Sequence, residues 1–228
     1  LRSAEAQTPL LPVMKAMAAT LPPGVHRLNL SQDRERSRRY VGEHVLSQKD
    51  VESEGRFEDI VSYGGWSMDD HHPAGFNAVK IGAPATIFHP APSPYGIPYR
   101  CLYSKNVHNL MFAGRTASCT HTAMSSTRVM GTGCSMGQAV GTAAALSVHK
   151  KLLPAGMRDH AGELQQALLR DDAYLPGIKQ TFSELTAKAK LRASQGDPEP
   201  VRDGIHRPVG EVTHAWVCRE GDWLEDAF

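Results

Sequence analysis

No apolar run in these 228 residues approaches the roughly 20 needed to cross a bilayer, so no membrane segment is expected. Charge of one sign is scarce as well. The 25 lysines and arginines face 24 aspartates and glutamates, a formal net charge of +1. Duplex binding calls for a basic face, so nucleic acid is not the expected partner. The four cysteines, Cys101, Cys119, Cys134 and Cys218, form no CxxC pair and no metal-finger spacing, which points to free thiols. The opening stretch LRSAEAQTPLLPVMKAM has no initiator methionine. It does not combine the charged start, apolar core and small-residue cleavage site of a signal peptide, and it reads as the interior of a longer chain. The GxGxxG phosphate fingerprint is also missing: Gly131-Thr132-Gly133 is followed by Gly137, not by a glycine three positions on.

What remains is an ordinary globular composition, 41% hydrophobic and 21% charged, enough for one large domain or one domain plus a piece of another. Its centre is Asn109 to Lys150. The apolar run Leu110–Ala113 predicts a buried strand that stops at Gly114. A polar loop rich in Ser and Thr follows, then a helix from about Thr132 to Lys150 with Thr132 as its N-cap. Gly133, Gly137 and Gly141 fall at i, i+4 and i+8 on one face of that helix. Each costs about 1 kcal/mol against alanine, so the face is expected to receive another backbone or a ligand. The helix start offers free N–H groups suited to an anionic or electron-rich group.

The rest of the chain is read more briefly. Leu1–Leu21 is helical in parts, His26–Leu30 is strand-like, and Ser31–Arg39 is a dense charge run. Tyr40–Leu46 alternates like a strand, and Ser47 with Asp50 three positions on marks a helix start. Ile60–Tyr63 predicts a strand that ends in a Gly64-Gly65 turn. Asp69, Asp70, His71 and His72 are ligand types for a divalent metal. Neighbours on an extended chain point to opposite faces, however, so no metal site is expected. Ala85–Phe88 and Ile97–Tyr103 read as strands, Asp159–Leu169 as an amphipathic helix, and Leu191–Gly210 as a linker before strand-like His214–Val217 and Trp223-Leu224.

Four motifs occur in order: SRRYVGEHVLSQKDV, GGWSMDDHHP, IPYRCLYSKNVHNLMFAGRTAS and STRVMGTGCSMGQAVGTAAAL. Together they resemble the C-terminal half of the FAD-dependent oxidoreductase family with a glutathione-reductase-like FAD domain, from roughly Glu35 to Leu146. The resemblance implies an α/β flavoprotein, α+β when only this part is seen, with FAD as cofactor. It implies that residues 1–105 are the remainder of a β-rich substrate domain and that 106–150 supply the closing strand and glycine helix of the FAD domain. Residues 151–195 form a helical extension, and 196–228 a linker with the start of a truncated β domain. The GxGxxG half of the cradle is then the missing N-terminal partner, and this chain alone is expected to hold FAD poorly and to be inactive.

Within that frame Gly114, Arg115 and Thr116, then Gly131, Thr132, Gly133, Cys134, Ser135, Met136 and Gly137, are the expected cofactor residues. The amides of Gly133, Cys134 and Ser135 would face the flavin, and Gly131 and Gly133 would let the backbone approach a flat ring. Arg115 contacts cofactor or substrate, or else forms a structural ion pair. His121 is a general base near the flavin, or a loop histidine at the surface. His71 belongs to the substrate pocket, or caps a strand end. Arg128 holds a substrate carboxylate or hydroxyl. The expected reaction moves hydride from a small polar organic substrate to flavin N5. The alternative is a non-catalytic binding module that retains no FAD by itself.

Overall fold

A computed structural model describes residues 40–72, 74–92 and 94–227. The expectations for Leu1–Leu21, His26–Leu30 and Ser31–Arg39 lie outside the described residues.

The first element forms for a local reason. Helix α1 (Gln48–Glu52) is closed by a capping box in which the Ser47 hydroxyl accepts from the Asp50 amide at 3.3 Å and the Asp50 carboxylate accepts from the Ser47 amide at 2.8 Å. Burial tends to raise the Asp50 carboxyl, but the hydrogen bonds from Ser47 and His44 outweigh it and hold the group below its ordinary value. Gly55 follows at φ +55, where a Cβ would sit 2.1 Å from the Gly96 carbonyl oxygen, so only glycine fits this crossing.

That crossing sets up the central pair of strands. Strand β1 (Ile60–Gly64) runs antiparallel to β4 (Tyr95–Pro98), with Ile60 opposite Pro98 and Gly64 opposite Tyr95. Between them in sequence lies a second hairpin, β2 (Met68–His71) against β3 (Thr86–His89), with Met68 opposite His89. Helix α2 (His121–Thr127) leads almost directly into α3 (Met130–Lys150), and α4 (Ala161–Arg170) follows. A short helix α5 (Glu184–Lys188) precedes β5 (Lys190–Ala193), which pairs antiparallel with β6 (Leu224–Ala227). Helices and small antiparallel sheets make this a mixed α/β chain.

The core lies where α3 and α4 cover β1 and β4. Met136, Ala139 and Ala143 of α3 and Leu164 and Leu168 of α4 are fully buried against Val61, Ile97, Tyr99 and Leu102. Gln165, also buried, donates to the carbonyls of Glu58 at 2.8 Å and Ile60 at 3.0 Å, which satisfies backbone at the entrance to β1. No helix among the described residues is long and apolar enough to cross a membrane.

Several expectations fail in instructive ways. The run Leu110–Ala113 is not a strand: Met111 makes a single bridge to Tyr103, and Phe112 is buried by stacking on Tyr40 at 5.1 Å. Tyr40–Leu46 makes isolated bridges, Gly42 to Ser104 and Leu46 to Cys119. The strand expected over Ile97–Tyr103 turns into a 3-10 helix at Tyr99–Cys101. The presumed linker Leu191–Gly210 contains most of β5 and a 3-10 turn at Glu199–Arg202. By contrast Ile60–Tyr63, the Ala85–Phe88 strand and the Asp159–Leu169 helix are found close to their expected places.

Candidate functional site

The Ser- and Thr-rich stretch expected as a loop contains α2. Its N-cap Thr120 accepts from the Ala123 amide, and Ala123 to Thr127 are buried. Small hydroxyl side chains are modest helix formers, so burial rather than propensity sustains this helix. Ser126 gives its proton to the Trp66 carbonyl and therefore accepts from the Tyr95 hydroxyl. Burial pushes the Tyr95 phenol up to about 12, so it remains a donor. This chain of hydroxyls fixes the start of the β2–β3 hairpin against α2.

Side chains from β2 then meet both ends of α2. His121, on the first turn, places Nε2 2.8 Å from Asp70 Oδ1. Arg128, just past the last turn, donates from one terminal nitrogen to the Asp69 carbonyl at 3.1 Å and to His71 Nε2 at 3.0 Å. The period of two along β2 explains the division. Asp69 and His71 share one face and meet Arg128, while Asp70 lies on the other and meets His121. His71 Nε2 also lies 3.6 Å from Asp69 Oδ1, which would suit a charged imidazole. The shorter contact is with a guanidinium, which can only donate, so Nε2 is the acceptor in that bond. Asp69 Oδ1 is buried and has no hydrogen bond among the described residues. Among those residues no group of three or more His, Cys, Asp or Glu side chains is placed to hold a metal ion.

Helix α3 begins two residues after Arg128, at Met130 and not at Thr132, and its N-cap is Val129 without a side-chain bond. Thr132 is buried inside the first turn. The shift moves the free amides. Gly133 N–H is taken by the Val129 carbonyl at 3.0 Å, so Met130, Gly131 and Thr132 carry the unsatisfied donors, not Gly133, Cys134 and Ser135. Ser135 is tied sideways to Ser62 on β1 at 2.7 Å, and Met136 is fully buried. Gly131, Cys134 and Gly137 face outward.

The 3-10 turn Gly114–Thr116 lies beside this helix: a Cβ on Gly133 would be 3.8 Å from the Gly114 Cα. Gly114 itself is at φ +65. Arg115 on the same turn is exposed and makes no ion pair among the described residues, so the structural-pair alternative finds no partner there. Cβ atoms added at Gly131, Gly137 or Gly141 would meet nothing within 4 Å. The glycines are therefore not needed for packing between the described elements. Alanine at Gly137 and at Gly141 is expected to stabilise this chain by about 1 kcal/mol each, read as a rise in thermal midpoint. No gain at either position would show that the face is already in use.

An open glycine face, free helix-start amides, and a His–Asp and an Arg–His pair thus lie along α2 and the start of α3. A profile described as FAD dependent oxidoreductase matches residues 33–168, more than half of the chain. The chain belongs to that family, and FAD is its cofactor. Comparison with curated proteins and with solved structures gives no match.

Proposed function

We propose that these residues are the flavin-facing C-terminal part of an FAD-dependent oxidoreductase acting on a small polar organic substrate. The observation that carries this reading is that β2 brings Asp70 to His121 and His71 to Arg128 at the two ends of α2, with Arg128 two residues before α3, in a chain of this family. Bound FAD supplies hydride acceptance at N5. Everything else falls to the chain's own groups.

His121 acts as the base. Asp70 holds its Nε2–H, which leaves Nδ1 to take the substrate proton. His71 is occupied at Nε2 by Arg128, so it orients and does not abstract. Arg128 and the buried Asp69 Oδ1 offer a donor and an acceptor to a substrate hydroxyl or carboxylate. The amides of Met130, Gly131 and Thr132 present positive partial charge to the electron-rich edge of the ring. Gly114, Arg115 and Thr116 line the same approach, with Arg115 contacting cofactor or substrate. Gly133 and Gly137 keep it clear, Cys134 lies at its outer edge, and Ser135 and Met136 anchor the helix beneath it.

In this reading residues 1–105 complete a substrate domain, 106–150 close the FAD domain, 151–195 extend it and 196–228 begin a further β domain. The diphosphate cradle comes from a preceding part of the same polypeptide. The lack of GxGxxG favours one alternative: a binding module without turnover. The two separate on FAD loading. The chain alone is expected to emerge from gel filtration colourless after incubation with FAD, and a longer polypeptide that includes the cradle to emerge yellow. Stoichiometric retention by these residues alone, or none by the longer polypeptide, would overturn the proposal.

A further inference from the structure

Apart from the cluster at α2 and α3, the described residues enclose a cavity of about 820 Å³ between the entrance to β1, the segment after α4 and the loop from Ile205 to His214. That volume lies within the roughly 300–1,000 Å³ of clefts that hold small molecules. None of His71, His121, Arg128 or the α3 glycines lines it. Its walls are held in place. Gly204, at φ +83, would put a Cβ 2.6 Å from the Gln180 carbonyl oxygen, and Gln180 N–H donates to the Gly204 carbonyl at 2.9 Å. The two segments closing one side are thus locked backbone to backbone, and Gln165 fixes the opposite wall at Glu58 and Ile60.

The lining chemistry selects a ligand class. Phe57, Ile60, Leu175, Ile178 and Val209 make the walls apolar. The charges are balanced, Glu54 and Glu58 against Arg56 and Lys179, and Glu54 is paired with Arg56. Both lining histidines are engaged, His206 with Gln180 and His214 with Asp203 at 2.5 Å. Tyr174 is different. Its ring meets Tyr63 edge-on with centroids 5.2 Å apart, but its hydroxyl makes no hydrogen bond among the described residues. Burial raises its pKa, which keeps the O–H as a donor.

We infer that this cavity is a second small-molecule site, taking an uncharged, mainly apolar organic molecule whose carbonyl or ether oxygen accepts from Tyr174. Balanced charge at the rim gives a charged ligand no advantage, while an unpartnered donor against apolar walls rewards a single acceptor.

The neutral naphthalene ketone prodan matches this chemistry and reports apolar surroundings by a blue shift of its emission. Titrated into the full chain, it is expected to bind once per chain. Val209→Trp, which fills the cavity, is expected to weaken binding at least about tenfold, and Tyr174→Phe, which keeps the ring, about fivefold. Phe88→Lys, on the exposed apolar strand β3, is expected to leave it unchanged. Circular dichroism melts check that each variant folds, and Tyr174→Phe retains the test if Val209→Trp does not. Binding in both cavity variants as tight as in the unsubstituted chain, several probes per chain, or loss in Phe88→Lys would overturn the site. Loss in Val209→Trp with Tyr174→Phe unaffected would overturn the acceptor assignment.

Discussion

His121→Ala in the FAD-loaded protein is expected to slow substrate reduction of the flavin by about 10²- to 10⁴-fold, the range of a positioned general base. FAD content should not change, because His121 sits on α2 and not on the glycine face of α3. Asp70→Asn should cost about 10- to 100-fold, since the amide no longer enforces the tautomer that leaves Nδ1 free. His71→Ala should behave differently. With Nε2 already taking the Arg128 proton, it contributes to substrate placement, so KM should rise more than kcat falls. The measurement is anaerobic flavin bleaching with each of a panel of polar organic donors. Equal rates in His121→Ala and the unsubstituted protein, for a donor that the protein accepts, would remove the base from the proposal.

Asp59→Ala is expected to be the most damaging single substitution to stability away from the apolar core. Asp59 is 5% exposed and takes three hydrogen bonds from Arg100: the amide at 3.1 Å, Nε at 3.0 Å and a terminal nitrogen at 3.0 Å. Those bonds push the Arg100 guanidinium above its ordinary pKa. The Asp59 carbonyl also accepts from Tyr99 N–H at 2.7 Å. This pair holds the entrance of β1 to the turn after β4, where the two strands of the central sheet begin and end. Removing a buried partner costs about 3–5 kcal/mol, reduced here to about 2–4 because the Arg100 side chain is 29% exposed and water screens it. For a chain of this size each kcal/mol is worth about 2–4 °C in thermal midpoint. Asp59→Asn keeps an acceptor and should lose less. A loss below about 1 kcal/mol for the alanine variant would show that water replaces the carboxylate freely.

The elements legible in the sequence are those whose causes are local. The Ser47–Asp50 capping box lies within four residues, and the leucine spacing of α4 declares its buried stripe. Helix α2 was not legible, because its stability comes from burying Ala123 to Thr127 under the hairpin and not from its own Ser and Thr residues. The same holds for Leu110–Ala113, whose apolar character is spent on one buried phenylalanine and a stacked tyrosine. At the site, the residue types of His71, His121 and Arg128 stood out, but their pairing spans 51 to 59 positions in sequence and follows from no local pattern. The alternation along β2 was the available signal, since it already separates Asp69 and His71 from Asp70. An N-cap three residues earlier than expected, Val129 in place of Thr132, sufficed to reassign the free amides of α3.

The β2–β3 hairpin divides its labour between strands. Strand β2 is anchored by the fully buried Met68 and gripped by α2, whereas β3 presents Ile87 and Phe88, 40% and 66% exposed, directly opposite Asp70 and Asp69. Substitutions at Ile87 or Phe88 are therefore expected to cost little stability, while those at Met68 cost a great deal, although backbone pairing holds the two strands together.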